Sequence, residues 1–507
     1  MSTSSLWLAL FQQSAEHGRP LREQLCGALR QAIAAGTLAQ HARLPSSRVL
    51  AADLALSRVT VEAAYAQLEA EGYLERRIGQ GTLVRIALPP AGRAAMAGPA
   101  PVAAALSARG RRIVTDGGCV DPQQPRAFCA GSPELRAFPH DTWRQLNNRR
   151  LRRDGEALMR YGDPQGHPAL RRAIAHYLGQ SRGVRCDAGQ VLVLTSSQQA
   201  LQLLATVLLD PADPVWIEEP AYRGARTAFA AAGATLLPVP VDGDGLRIEE
   251  AAAGDPAAGG PGAGGPMTSA PATAAALPIP RLIYLTPSHQ YPTGATLSLA
   301  RRLALVDYAG RHGCWLVEDD YDGEFHYDGR PQPALQGLDP HGRTLYLGTF
   351  SKALFPSLRL AYLVLPPALV APLTTARTVH DGHCAQLAQA VTADFIEQGH
   401  FAAHLRYMRQ LYRGRRDALL EAIGGKLPWL TAQPNTGGLQ LAATLPPDWE
   451  APLSRQAAAL GIATPSLSAL YGGPAAQDGW LLGYAALTPE EIAAAVDGLA
   501  TLRLPPR

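Results

Sequence analysis

No two of the six cysteines in this 507-residue chain stand in a Cys-x-x-Cys spacing. Cys26, Cys119, Cys129, Cys186, Cys314 and Cys384 are scattered, which argues against a structural zinc site or a disulfide framework and for a reducing compartment. An excess of one charge is also lacking. Lys and Arg number 46 against 43 Asp and Glu, a formal net charge of +3, so any nucleic-acid contact must come from a local patch. No apolar run is long enough to span a bilayer, and the apolar stretch 6–11 is short and has no basic leader. These absences predict a soluble cytoplasmic protein with no membrane partner. What remains is an ordinary globular composition, 47% hydrophobic and 18% charged, at a length that suggests roughly two to four domains.

The first 88 residues carry helical periodicity and then strand periodicity. Leu21, Leu25, Leu29 and Ile33 recur every four residues, an amphipathic helix that Gly36 ends. Leu44-Pro45-Ser46-Ser47 is a helix start, and the next helix is predicted over 46–54. Ser57 can cap a third helix over 58–71, with Val61, Ala64, Tyr65 and Leu68 as its apolar face. Two short strands, 73–78 and 82–86, flank the turn Gly79-Gln80-Gly81 and predict a β-hairpin. Together these elements make a winged helix-turn-helix. Ser57, Arg58 and Thr60 at the start of its third helix can reach phosphates and base edges of double-stranded operator DNA, and Arg48, Gln80 and Thr82 can add backbone contacts. The alternative for this segment is a small helical dimerisation module with solvated charges.

Residues 89–125 are rich in Pro, Ala, Gly and Arg without a clean period, and read as a linker. The stretch 251–276 is almost all Ala, Gly and Pro; it reads as a disordered surface insertion, tolerated because loop closure costs little per added residue. From 126 to 507, apolar strand-like runs alternate with helical segments, which predicts an α/β domain.

Within that domain Lys352 stands between the apolar runs 344–347 and 360–365. A cation held between buried strands is costly unless it is paired or neutralised, and one use for such a lysine is a Schiff base with an aldehyde cofactor. Arg359, seven residues on, presents a fork of donors for a phosphate. Strand 191–194 runs through Thr195-Ser196-Ser197-Gln198 into a helix over 200–209, and a helix start built of small polar residues is an anion cradle. Tyr222 follows strand 215–218 and can stack on a ring, although buried packing explains it equally well. Asp319, beside Tyr321, ends strand 315–318, where a carboxylate can keep a pyridine nitrogen protonated. Taken singly, each signal has a plain structural reading. As a set in one chain order, they fit pyridoxal 5'-phosphate (PLP).

Two stretches also resemble known families. Leu44-Pro-Ser-Ser-Arg48, Ser57-Arg-Val-Thr-Val61, Glu71-Gly-Tyr-Leu74 and Gly79-Gln-Gly-Thr82 resemble the winged helix of GntR-type regulators. Tyr161-Gly-Asp-Pro, Thr195-Ser-Ser-Gln-Gln-Ala, Glu219-Pro-Ala-Tyr222, Thr286-Pro-Ser-His-Gln-Tyr-Pro-Thr-Gly294, Glu318-Asp-Asp-Tyr321 and Thr349-Phe-Ser-Lys352 resemble a fold-type I aminotransferase with a small C-terminal α+β subdomain, placed at about 385–507. The whole chain resembles the MocR subgroup of GntR regulators, and its PdxR-like members in particular. The resemblance implies a PLP aldimine on Lys352, with Ser351 and Tyr291 also at the cofactor. It further implies a domain-swapped homodimer and transcriptional control rather than turnover. Tyr291 stands where aminotransferases place an asparagine. Between Arg455 and Arg503 there is no Arg or Lys to hold a substrate carboxylate. The effector expected from this is PLP itself, with an amino-acid-like ligand or a working aminotransferase as the alternatives.

Overall fold

The computed structural model describes residues 7–11, 19–86, 106–116, 126–253, 277–329, 332–433 and 435–506. The chain divides into two units, Met1–Ala105 and Leu106–Arg507.

The first unit contains α1 (Leu21–Ala34), α2 (Ser47–Asp53) and α3 (Arg58–Ala70), followed by strands β1 (Leu74–Arg77) and β2 (Gly81–Val84). Ser57 caps α3 as its position predicted, its hydroxyl accepting from Thr60 N at 3.1 Å. Ser46 caps α2 in the same way, accepting from Val49 N. The strands pair antiparallel with Leu74 opposite Val84 and Arg77 opposite Gly81, and Gly81 holds a φ of +87° that suits glycine. Leu25, Leu29, Ile33, Leu50, Val61, Tyr65, Leu68, Leu74 and Val84 share one core. Leu21 does not join them and is exposed. A spacing of four overshoots the helical turn by about 40° each time, so over three steps the first leucine rotates off the buried face. Cys26, Ala28 and Ala32 complete that face instead.

The second unit is built on one mixed sheet. Its strands are β3 (Val191–Leu194), β4 (Pro214–Glu219), β5 (Thr235–Asp242), β6 (Gly245–Leu246), β7 (Leu282–Leu285), β8 (Trp315–Asp320), β9 (Thr344–Thr349) and β10 (Ala361–Val364). Their order is β3-β10-β9-β8-β7-β4-β5-β6. Neighbours from β9 through β5 are parallel, whereas β10 runs antiparallel to both β9 and β3. Strands covered on both faces read as continuous apolar runs, because side chains leave the sheet alternately. Leu192 and Leu194 accordingly enter one core while Val191 and Val193 enter another. A second sheet of β11 (Thr431–Ala432), β12 (Gln440–Leu445) and β13 (Asp478–Gly483) is antiparallel.

Two expectations change, and a third falls mostly outside the described residues. Within 89–125, Ala108–Asp116 is an α-helix of the second unit, where Arg112 donates to Ala230 O at 3.1 Å. The helix carries Arg109, Arg111 and Arg112 against only two large apolar residues, Ile113 and Val114, too short an apolar signal to mark it in the sequence. Of the stretch 251–276, Ala251 and Ala252 are buried, and residues 254–276 lie outside the described residues. The helix Gln386–Glu397, at the start of the stretch assigned to the small subdomain, bonds to the earlier part of the unit: Gln389 Oε1 accepts from His167 N at 2.7 Å and Asp394 pairs with Arg150.

Candidate functional site

The topology brings the C-terminal ends of five strands to one sheet edge. Parallel β4, β7, β8 and β9 end there, and so does β3, because antiparallel β10 reverses the direction between β9 and β3. The start of β10, just after Arg359, therefore lies at the same edge. A cavity of about 940 Å³ opens at that edge. Each residue expected at the cofactor lines it: Ser196, Ser197, Gln198, Tyr222, Tyr291, Asp319, Tyr321, Ser351, Lys352 and Arg359.

Each position has a local cause. Lys352 sits in the single helical turn Phe350–Ala353 that follows β9, and its Nζ donates to Gly131 O at 2.8 Å. A Cβ on Gly131 would lie 2.9 Å from that nitrogen, and the residue's φ of +69° also favours glycine. Ser196 is the N-cap of the helix Ser197–Leu208 and accepts from Gln199 N at 3.1 Å, leaving the first-turn amides directed at the cavity. Arg359, with a φ of +54°, is exposed and makes no side-chain hydrogen bond or ion pair among the described residues. Tyr222, Tyr291 and Tyr321 form an edge-to-face series with centroids 5.7 and 5.9 Å apart.

Asp319 is 4% exposed. Its Oδ2 accepts from Tyr284 OH at 2.8 Å, while Oδ1 is buried without a partner. Burial pushes its carboxyl up to about 7, against the opposing Tyr284 hydrogen bond, and Asp320 adds to the rise. An orphaned carboxylate oxygen facing a cavity is matched by a cationic N–H donor, which a protonated pyridine supplies. The residues present therefore fit PLP: a carboxylate for the ring nitrogen, an amine for the aldehyde, and a helix start with an arginine for the phosphate.

Tyr284, Thr286 and Gly131 also line the cavity and escaped the sequence reading. Tyr284 is hidden inside the apolar run 282–285, where only its register two residues before Thr286 marks the inward face. Thr286 is held by buried Glu218, which accepts from Thr286 N at 3.1 Å and Oγ1 at 2.7 Å. Thr286 Oγ1 in turn accepts from Tyr291 N at 2.8 Å, which fixes the Tyr291 loop. The C-terminal wall of the cavity is Gln440, Pro465 and Leu470, with no cation. Arg377 reaches the cavity from another side, but its guanidinium is occupied by Asp381, Pro164 O and Cys384 Sγ.

In the first unit, Arg48, Ser57, Arg58 and Gln80 are exposed, while Thr60 and Thr82 are half-buried. The Ser57 and Thr60 hydroxyls bond to each other at 2.8 Å, so both side chains serve the cap as well as the exposed face. Two wing arginines are committed elsewhere: Arg76 to Glu62 and Glu69, and Arg77 to Glu75. Val59 is 78% exposed beside Arg58 and suits contact with a thymine methyl. No helix among the described residues is long and apolar enough to cross a membrane.

Residues 21–84 match the gntR family of bacterial regulatory proteins, and residues 128–499 match the aminotransferase class I and II family. A protein of Rhizobium meliloti named as probable rhizopine catabolism regulatory protein MocR is 40% identical over 490 residues, covering 95% of this chain and 93% of that protein. The HTH-type pyridoxine biosynthesis transcriptional regulator PdxR of Corynebacterium glutamicum is 29% identical over 91% of both chains. Among solved structures, LysN, an α-aminoadipate aminotransferase of Thermus thermophilus complexed with N-(5'-phosphopyridoxyl)-L-leucine, superposes with a TM-score of 0.66 at 28% identity. That match covers 78% of this chain and 94% of the enzyme.

Proposed function

The chain belongs to the MocR subgroup of GntR-family regulators, in which a winged helix is fused to an aminotransferase class I and II domain, and on that premise we propose that PLP is itself the signal this regulator reads. The observation that carries the reading is an asymmetry within one cavity. Its cofactor-facing side has a carboxylate, an amine and an anion cradle, whereas its C-terminal wall (Gln440, Pro465, Leu470) holds no cation for an amino-acid carboxylate. A buried carboxylate without a partner is costly, so this wall disfavours an amino-acid substrate.

When bound, PLP supplies an electrophilic aldehyde and an electron-withdrawing ring. The chain's own residues then do the following. Asp319 Oδ1 accepts a hydrogen bond from the ring nitrogen and holds the proton there. Lys352 Nζ, held by Gly131 O, would be the amine presented to the aldehyde. Arg359 and the Ser196–Gln198 turn hold the phosphate, and Tyr222 covers the ring. Tyr291, in the place of the aminotransferase asparagine, gives an aromatic wall where an amide would tune the cofactor's phenolic oxygen.

Arg48, Ser57, Arg58, Thr60, Gln80 and Thr82 form the operator contact. The working form is a domain-swapped homodimer, which a two-fold operator would match; light scattering at twice the chain mass checks it. The signal is tested by selecting operator fragments from genomic DNA and measuring their affinity with and without PLP. A coupling of about 5-fold or more that vanishes in Lys352→Ala is expected. An affinity indifferent to PLP, or conversion of bound PLP to its amine form by amino acids, overturns the reading.

A further inference from the structure

Behind the sheet edge lies a second cavity of about 310 Å³, apart from the cofactor residues. Tyr177, Ser181, Arg182, Glu324, His326 and Arg409 are on its wall. Glu324 is 7% exposed, and its Oε2 is buried with no hydrogen-bond partner. Its other oxygen receives only a long bond, 3.5 Å, from Tyr177 OH. Burial, reinforced by Asp320, raises the Glu324 carboxyl well above its ordinary range.

The cations of the wall are unequal. Arg182 is spoken for: Nε donates to Asp320 Oδ2 at 2.8 Å and Nη2 to Ser288 Oγ at 2.6 Å. Arg409 donates Nε to the Glu324 carbonyl at 2.5 Å, and its guanidinium has no carboxylate partner among the described residues. One acidic and one basic group thus line the same small space: Glu324 Oε2 has no hydrogen-bond partner and the Arg409 guanidinium has no carboxylate partner among the described residues.

We propose that this cavity binds a small amino acid, with its ammonium on Glu324 and its carboxylate on Arg409. A zwitterion carries opposite charges on neighbouring atoms: its ammonium favours ionisation of the buried Glu324 carboxyl while its carboxylate pairs with Arg409, whereas a simple anion or cation would serve only one of the two groups. The site goes beyond the PLP reading and does not depend on it. It gives an amino-acid ligand a place that the cofactor cavity's neutral C-terminal wall does not provide. It also borders the cofactor site, since Arg182 is bonded to Asp320, the neighbour of Asp319.

The test uses the full chain with each of the common L-amino acids as probe, read first by thermal shift and then by calorimetry. At least one amino acid is expected to bind. Arg409→Gln should weaken it by about 10-fold or more, the loss of a hydrogen-bonded charge partner, while Lys352→Ala leaves it unchanged. Ser181→Tyr, an exposed position at the mouth, should block binding by bulk without removing a buried charge. Three outcomes each overturn the proposal: no amino acid binds, binding persists in both Arg409→Gln and Ser181→Tyr, or binding disappears in Lys352→Ala, which would place it in the cofactor cavity.

Discussion

The winged helix holds surface carboxylates low, whereas the sheet of the large unit holds a buried set of them high. In the winged helix Glu62, Glu71 and Glu75 lie at or near the surface, and each is held below the ordinary carboxylate range by a side-chain partner: Ser47, Arg30 and Arg77 respectively. In the large unit Glu218, Glu318 and Asp319 are pushed up to about 7, with burial the largest cause in each. The difference follows from the two tasks. A DNA face works through solvated charge, is read at long range and weakens with salt. A cofactor site needs few groups, fixed in direction and stripped of water so that each contact counts for more. The first can be assembled from charges on a small core; the second needs a wide sheet to bury them.

The sharpest division between the units is expected from Lys352→Ala. It should abolish the lysine-dependent visible absorption of the PLP-loaded protein, while operator affinity without PLP stays within about twofold, since the substitution removes no residue of the winged helix. A large parallel loss of DNA binding would break the comparison.

Asp319→Asn comes next. Loss of a charge-assisted hydrogen bond should weaken PLP binding by about 10- to 100-fold, read by fluorescence titration. The same variant tests the buried state itself. An acid whose folded pKa is about 7 and whose unfolded pKa is about 4 stabilises the fold below the lower value, and that contribution is lost as pH rises through the higher one. Without PLP, Asp319→Asn should therefore gain melting temperature relative to the native chain between about pH 5 and pH 8. A parallel pair of pH profiles would show that Asp319 is ionised in the folded protein.

Arg58→Ala should cost operator affinity about 10-fold and reduce the salt slope by about one, with PLP titration unchanged. Equal loss of both functions would end the division into two modules. The smallest effect is expected from Ser57→Ala. Removing the cap of α3 should cost about 1 kcal/mol in the first unit, visible as a lower melting transition there and none in the large unit.

Much of the site was legible because its residues lie at the ends of apolar runs, and strand ends in open α/β sheets face ligands. Asp319 and Lys352 each end or follow such a run, and Ser196 caps a helix that follows one. Tyr284 and Thr286 were not legible, because whether an inward residue meets a cavity or a core depends on which strand lies beside it. The same holds for Gly131, distant in sequence and placed against Lys352 only by folding. The helix at Ala108–Asp116 was missed because its two large apolar residues, Ile113 and Val114, are too few to set a readable period, and its contact with Ala230 is not encoded locally.

The sequence by itself determined the two-module plan, the caps of the winged helix and the identity of polar groups that line the cavity of the large unit. These depend on spacing and residue chemistry, which act within a few residues. Tertiary structure alone decided which charges are spent and which are available. Arg182 is consumed by Asp320 and Arg377 in part by Pro164 O, both from remote segments, while Arg409 and Glu324 line one cavity. Pairing and desolvation are set by distances of a few ångströms between segments far apart in the chain, and no local pattern records them.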